Sequence, residues 1–481
     1  MLPIVTPAEM AEIDRAAPEG TDVLIARAGG ETAIEARKLM GGTYGRRALV
    51  AAGKGNNGAD GRVAASVLQR WGVRCRVATP PEALDVITAG TGSGAYRLDL
   101  VIDAAYGTGL RGPWGADRPP AVPVLAVDIP SGIDALTGEN HGCWPAAATV
   151  TFGALKPGLL LHPGTAAAGD VRLAPIGLDT SDAGAWLITD DDASAVLGDL
   201  EPTAHKWRRS VRVIAGSPQM RGAGALVCAA AQQAGAGMVV ISSPGVRSGD
   251  IARPTEAVAR DLRPGNWAAP ALEGIERFDV AAIGPGVGTD PTSMAQMAQF
   301  ISECPLPLVV DADALTAVAT HPECLRTRST VTVLTPHDGE FARLRGASCV
   351  APDRFEAVRQ AAASLDAIVL LKGPTTLVAR PQAAGMPPAV FAVNSGSARL
   401  ATAGSGDVLT GVIAAVLSAE HDPDGTAMAV AAAAHWHGRT ATCDDREATA
   451  AMTPLTAMRQ VELLEVARAG LAGSSAESSC S

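Results

Sequence analysis

The chain has 481 residues, 47% of them hydrophobic and 19% charged, and carries a net charge of -11 at neutral pH. At roughly 100 to 200 residues per domain this length corresponds to two to four domains, and the apolar content excludes a chain disordered throughout. The acidic balance excludes a nucleic-acid backbone or an anionic membrane as the main partner, since both need clusters of Lys and Arg. Aromatics make up 3% of the chain while Gly and Pro number 52 and 33, so cores of Ala, Val and Leu between many short, tightly turned elements are expected. Met1 to Asp14 lacks the cationic stretch and apolar core of a secretion signal. No apolar run reaches the ~18 to 20 residues of a membrane span, so a soluble, cytoplasmic protein is expected. The eight cysteines (Cys75, Cys143, Cys228, Cys304, Cys324, Cys349, Cys443, Cys480) show no CxxC or Cys/His ligand spacing and read as reduced structural thiols, with neither zinc nor a disulfide framework.

In chain order, apolar runs at Ala48 to Gly53, Leu98 to Ala105 and Val122 to Ile129 end in glycine or acidic residues and alternate with helical stretches. This is the pattern of a parallel sheet with crossover helices. After the first strand comes Gly53-Lys54-Gly55-Asn56-Asn57-Gly58-Ala59-Asp60-Gly61, then a helix with Val63, Val67 and Trp71 on one face. Glycines at such a junction let backbone N–H groups approach an anion. The next strand ends at Asp103 and leads into Gly107-Thr108-Gly109-Leu110-Arg111-Gly112, and the third ends in Asp128-Ile129-Pro130-Ser131. Ligands of open α/β sheets sit beyond the carboxyl ends of the strands, so Asn57, Asp103, Asp128 and Ser131 are expected around one crevice. The oxygens of Asn57, Asp103 and Ser131 suit a hard cation such as potassium or magnesium.

The runs GNNGADG, DAAYGTGLRG, VDIPSGID with Thr137-Gly138, and TVTFGALKPG ending at Gly158 resemble the NAD(P)H-hydrate epimerase family, whose fold is Rossmann-like. The resemblance covers most of residues 1 to 178. It implies that Asn56, Asn57, Gly58, Ala59 and Asp60, with Gly107, Thr108, Gly109, Leu110, Arg111, Gly112 and Pro113, hold the hydrated dinucleotide. It further implies that Asn57, Asp103 and Ser131 bind potassium and that Asp128 contacts the reacting nicotinamide. Ala59 departs from the family's usual glycine. The chemistry needs only an acid/base, because the ring nitrogen can expel the neighbouring hydroxyl and water can return from the other face; Asp128 is the best-placed carboxylate. Lys156 reads as a surface or phosphate-tethering lysine.

Residues 179 to 204, rich in Asp and Ala, mark a boundary that gives domains of 1–195 and 200–470. Beyond it, apolar runs at Val211 to Ala215, Met238 to Ile241, Val280 to Ile283, Leu308 to Val310, Val331 to Leu334 and Ile368 to Leu371 predict a second parallel sheet with flanking helices. Asn394-Ser395-Gly396-Ser397 and then Ala403-Gly404-Ser405-Gly406-Asp407 open an apolar helix through Leu417. Such a helix start presents free N–H groups to phosphate, and a carboxylate beside it can deprotonate an attacking hydroxyl. Lys372-Gly373-Pro374-Thr375-Thr376, Gly284 to Gly288 and Thr335-Pro336-His337 stand at other strand ends. The final stretch, Gly470 to Ser481, reads as a disordered tail.

Together with His205-Lys206, Gly216-Ser217, Gly222-Ala223, the run from Val310 to Leu315 and His435 to Gly438, these motifs resemble the NAD(P)H-hydrate dehydratase branch of the ribokinase-like fold, over about residues 200 to 465. The resemblance implies that Lys372, Gly373, Pro374, Thr375, Thr376 and Gly406 bind the adenine nucleotide. It implies that Ala223, Gly286, His337 and Asp407 bind the hydrate, with Asp407 as base, ADP as phosphoryl donor giving AMP, and magnesium on the phosphates. Trp207 and Ser210 replace glycines of the family, and His205 is given no role. The expected protein is thus two-domain α/β, an N-terminal Rossmann-like three-layer domain and a C-terminal ribokinase-like domain, that repairs hydrated NADH and NADPH. It is expected to act as a homo-oligomer, with neither nucleic acid nor membrane as partner. A Gly-Ser-Gly-Asp anion hole by itself equally allows a small-molecule kinase with an N-terminal nucleotide-sensing domain.

Overall fold

The computed structural model describes residues 1–89, 97–109, 114, 120–198, 205–381, 389–419, 425–443 and 453–478. They divide into two compact units, Leu2–Ala185 and Trp186–Ser481. The division falls inside the acidic stretch from 179 to 204 and ahead of position 195. Residues from Trp186 onward go with the second unit, where Ile188 N donates to Ala392 O at 3.0 Å.

The first unit contains β1 (Leu2–Ile4), β2 (Arg47–Ala52), β3 (Arg74–Ala78), β4 (Leu100–Ala104), β5 (Val124–Val127), β6 (Ala148–Phe152) and β7 (Asp170–Ala174). Six of them form a parallel sheet in the order β3-β2-β4-β5-β6-β7. The side chains of β2 alternate between two cores. Ala48, Val50 and Ala52 pack on residues of the helices Thr21–Leu39 and Asn56–Arg70, while Leu49 and Ala51 pack on Ala83, Trp114 and Trp144. A sheet covered on both faces is why its strands read as continuous apolar runs. Because β3 lies on one side of β2 and β4 on the other, the topology reverses between β2 and β4, which opens a crevice at their carboxyl ends.

The helix after β2 starts at Asn56, capped by Gly55, so residues 56–60 form its first turn and not a preceding loop. Its buried side is Gly61, Ala64, Ala65 and Leu68. Of the stripe Val63, Val67 and Trp71, the two valines are half-buried and Trp71 is exposed. Gly61 lies tight on the sheet, where an added Cβ would meet Ala104 Cβ at 2.5 Å, while Val63 lies against Thr21–Leu39 at Gly29, where an added Cβ would meet Val63 Cβ at 2.5 Å.

The second unit holds β8 (Ala185–Leu187), β9 (Ser210–Ile214), β10 (Met238–Ser242), β11 (Val258–Ala259), β12 (Val280–Ile283), β13 (Leu308–Val310), β14 (Thr332–Leu334), β15 (Ile368–Leu371), β16 (Thr376–Ala379) and β17 (Val390–Val393). The strands β11-β10-β9-β12-β13-β14-β15 are parallel neighbours, and β16 and β17 extend them antiparallel. Here the order reverses between β9 and β12. The helix Ser405–Leu417 is buried at every position from Val408 to Leu417, each large aliphatic side chain contributing ~1.5–3 kcal/mol. At the carboxyl end of the chain, the segment expected to be disordered continues a helix, Ala457–Ser478, as far as Ser478. No helix among the described residues is long and apolar enough to cross a membrane.

Candidate active sites

In the first unit a cavity of about 850 Å³ opens at the switch point. Among its lining residues are Asn56, Asn57, Gly58 and Asp60 after β2, Gly107, Thr108 and Gly109 after β4, and Asp128 after β5. Ala59 is not part of the lining. The positions Leu110, Arg111, Gly112 and Pro113 lie outside the described residues. Gly58 is required by sterics, since a Cβ there would stand 2.0 Å from Gly53 O.

Asp128 has φ 68, a conformation an L residue adopts only when its surroundings impose it. Here Asp128 N donates to Val150 O at 2.7 Å, and its Oδ1 accepts from Lys156 Nζ at 2.5 Å and Thr151 Oγ1 at 3.1 Å. Lys156 is only 1% exposed and also donates to Thr151 Oγ1 and Phe152 O. It is therefore a buried partner of Asp128, not a surface lysine. A Cβ added at Gly107 would lie 3.7 Å from Asp128 Oδ2 and 3.5 Å from Asn57 Cβ, which brings the second carboxylate oxygen and Asn57 to one wall.

Asp103 is fully buried behind that wall. It accepts from Ser131 N at 2.9 Å, Ser131 Oγ at 2.6 Å and Ala105 N at 3.2 Å. Burial raises its carboxyl above the ordinary range despite these bonds. The amide atoms Oδ1 and Nδ2 of Asn57 are buried with no hydrogen-bond partner. A buried amide oxygen without a donor is chemically compatible with a hard cation as its partner. Two further carboxylates line the cavity: Asp60, 7% exposed, which stands in the GNNGADG run, and Asp14, which no motif marked. Burial, then the charges of Asp128 and Asp14, push the Asp60 carboxyl up to about 8.

In the second unit the strand ends converge on the first turn of Ser405–Leu417. Gly404 caps it at φ 89, and Asp407 sits in that turn. Burial first, then the charges of Asp311 and Asp313, push Asp407 up to about 6 against the opposing pull of Lys372. Lys372, from the end of β15, donates to Asp311 Oδ1 at 2.8 Å. A Cβ added at Gly406 would lie 3.6 Å from its Nζ, which puts the ammonium against the first turn of the helix. Burial alone would depress the Lys372 ammonium, but Asp311 holds it above the ordinary lysine range. Gly373 and Pro374 are exposed and Thr375 is buried; the hydroxyl of Thr376 donates to Gly373 O at 3.4 Å.

Ala223 and Gly286 adjoin across the β9/β12 switch point. Gly286 has φ 68, and its added Cβ would lie 3.1 Å from Ala223 Cβ, while Gly216 N donates to Pro285 O at 2.7 Å. The His337 ring is used locally: Nδ1 accepts from Gly339 N at 3.0 Å and caps Asp338–Leu344, leaving Nε2 3.5 Å from Glu340. Trp207 and Ser210 lie away from these groups. Ser210 opens β9 at its amino end and bonds Asp279 through its N at 2.7 Å and Oγ at 2.9 Å, and Trp207 packs edge-on to Phe278 under Arg277. Asp311 is the residue that sequence reasoning left out: it stood in the motif Val310 to Leu315 with no role, and only the fold shows that Lys372 comes to it.

A family described as NAD(P)H-hydrate dehydratase matches residues 211–462, and one described as YjeF-related protein N-terminus matches residues 79–158. The chain is 34% identical to the bifunctional NAD(P)H-hydrate repair enzyme Nnr of Moorella thermoacetica, with 90% of this chain and 91% of that protein covered. It is 39% identical to the protein of the same description from Mycobacterium tuberculosis, over 81% of this chain and 82% of the other. The Escherichia coli protein is 33% identical over 79% and 77%. A ribokinase-like superfamily protein of Enterococcus faecalis, 22% identical, shares the fold of the second unit's part of the chain at a TM-score of 0.50, covering 60% of this chain and 96% of that one.

Proposed function

The chain belongs to the bifunctional NAD(P)H-hydrate repair enzymes, and from that premise we propose that its two sites divide the repair between them. The first unit interconverts the R and S hydrates of NADH and NADPH, and the second dehydrates the S form with ADP, giving AMP and phosphate. The observation that carries the reading is Asp407 in the first turn of a buried helix, beside a lysine seated against Gly406.

In the second site Asp407 takes the proton from the hydrate hydroxyl, and the oxygen attacks the terminal phosphorus of the nucleotide. The phosphate ester then leaves as phosphate while a ring proton is lost, which restores the reduced nicotinamide. Lys372 stands where it meets nucleotide phosphates, with Gly373 to Thr376 and the free N–H groups at Gly406 completing the cradle. Ala223, Gly286 and the exposed edge of His337 border the hydrate. In the first site Asp128, paired with Lys156, exchanges the proton of the departing and returning water. Asn56 to Asp60 and Gly107 to Pro113 hold the dinucleotide.

Potassium at Asn57, Asp103 and Ser131 belongs to this reading, supported by the unpartnered Asn57 amide; when bound it supplies a positive charge behind the phosphate-binding turn. Magnesium would travel with the nucleotide and screen its phosphates. A cytoplasmic location and a homo-oligomeric assembly complete it. Incubation of mixed NADH hydrates with ADP should restore absorbance at the nicotinamide wavelength and release AMP. A stable phosphorylated product with ATP preferred over ADP would instead support a kinase, a reading that the bifunctional repair relatives do not favour.

A further inference from the structure

The dehydratase reading employs Lys372 and Asp407 without saying what seats them. Asp311 ends β13 and is 2% exposed. Its Oδ1 accepts from Lys372 Nζ at 2.8 Å and from Thr335 Oγ1 at 2.7 Å, and its Oδ2 accepts from Thr410 Oγ1 at 2.8 Å. These donors come from the ends of β15 and β14 and from the helix that carries Asp407, so one carboxylate ties two strand ends to the catalytic helix. A Cβ added at Gly406 would lie 3.8 Å from Asp311 Oδ2, which places the pair directly against the glycine turn.

The backbone is bent to make this possible. Ala312 sits at φ 51, ψ -120, a region L residues rarely enter. With it, Asp311 turns toward Lys372 while Asp313, two residues on, accepts from Gly288 N at 2.9 Å. A buried carboxylate with three donors, held by a strained neighbour, is over-determined for a residue that only fills space.

We infer that Asp311 is the positioning residue of the dehydratase site: its buried charge seats the Lys372 ammonium against the glycine turn and fixes the electrostatic setting of Asp407. The inference rests on the dehydratase reading. Burial alone would raise the Asp311 carboxyl, but Lys372 and the two threonine hydroxyls hold it below the ordinary range, so it carries charge. The groups that face Asp407 are Asp311 and Asp313 from the end of β13 and Lys372 from β15. Glu340 stands behind Lys372, and His437 reaches Ser405 Oγ at 3.4 Å. Of these, Asp311 and Asp313 raise the base and Lys372 lowers it, with burial the larger cause.

The test is the pH dependence of S-hydrate dehydration by the full-length protein with ADP. Asp407 must be ionised to act, so activity rises with pH through its titration. In Asp311→Asn that acid limb should move to lower pH, kcat at neutrality should fall roughly 10-fold as the base weakens, and KM for ADP should rise about as much. Asp311→Glu, which keeps the charge, should bring the limb back while KM for ADP stays high. If Asp311→Asn fails to fold, the double variant Thr335→Val, Thr410→Val keeps the charge and loosens the seat; it should raise KM for ADP with the limb in place. A limb and KM like wild type in Asp311→Asn, or an unchanged KM in the double variant, overturns the inference. A wild-type protein without ADP-dependent dehydration would instead sink the reading beneath it.

Discussion

Asp407 and Asp60 are both carboxylates kept at a cost by their surroundings, and that cost has a direction. A carboxyl whose folded-state value lies above the unfolded one takes up a proton on folding, so its contribution is favourable at low pH and is lost as pH rises through the folded value. For Asp407, at about 6, the loss is complete at neutrality. Asp407→Asn should therefore stabilise the protein at pH 7 by about 1–2 kcal/mol, after allowing for its partial exposure, while dehydration falls by roughly 100- to 10,000-fold. A lower melting temperature in the variant, or activity within a few fold of wild type, would contradict the assignment. For Asp60, at about 8, stability should decline from about pH 4 to pH 8. Asp60→Asn should flatten that decline, a gain on the order of 2–4 kcal/mol at pH 9, readable as melting temperature against pH. The sequence marked both residues because they sit in glycine-rich runs. It could not mark Lys156 or Asp311 in the same way, since each draws its role from a partner far along the chain: Asp128 across 28 residues and Lys372 across 61.

At the scale of elements, strands buried on both faces announced themselves as apolar runs. By contrast β3, Arg-Cys-Arg-Val-Ala at an edge of its sheet, carries charges that hide it, and β16 and β17 are a short antiparallel pair that the alternation of strand and helix does not anticipate. Glycine spacing located both glycine-rich strand-to-helix turns but not the close packing that makes particular glycines obligatory. Gly411 is such a case. The helix Ser405–Leu417 meets Arg221–Gln233 so closely there that an added Cβ would lie 2.4 Å from Val227 O and 2.8 Å from Ala230 Cβ. Gly411→Ala must push apart the helix that holds Asp407 and the one that holds Ala223. It should cost ~1–3 kcal/mol and lower dehydration, leaving epimerisation untouched. Gly58→Ala has the complementary outcome, because its Cβ would collide with Gly53 O: epimerisation should be lost and S-hydrate dehydration kept. Crossed results, with either variant impairing the other unit's activity in folded protein, would break the link between turn and site.

The whole molecule carries its two candidate bases in different compact units, Asp128 in Leu2–Ala185 and Asp407 in Trp186–Ser481. Asp128 ends a strand of one sheet, and the turn of Asp407 adjoins the strand ends of another. Loss of the Asp128 carboxylate leaves Lys156 without its ionic partner, a local injury to the first unit that does not touch the hydrogen bonds around Asp311, Lys372 and Thr410. Two sites in series on one compound then predict a distinctive time course. Given mixed hydrates and ADP, the Asp128→Ala protein should consume the S fraction at the wild-type rate and then slow abruptly to the rate at which the R form epimerises unaided. Wild type should run through without a break. Adding a catalytic amount of Asp407→Asn protein, whose first unit is intact, should abolish the break, because the two variants complement each other through free hydrate in solution. Failure of Asp128→Ala to dehydrate pure S hydrate, in protein whose second unit is folded, would mean that both units build one composite site, and the division of labour would have to be abandoned.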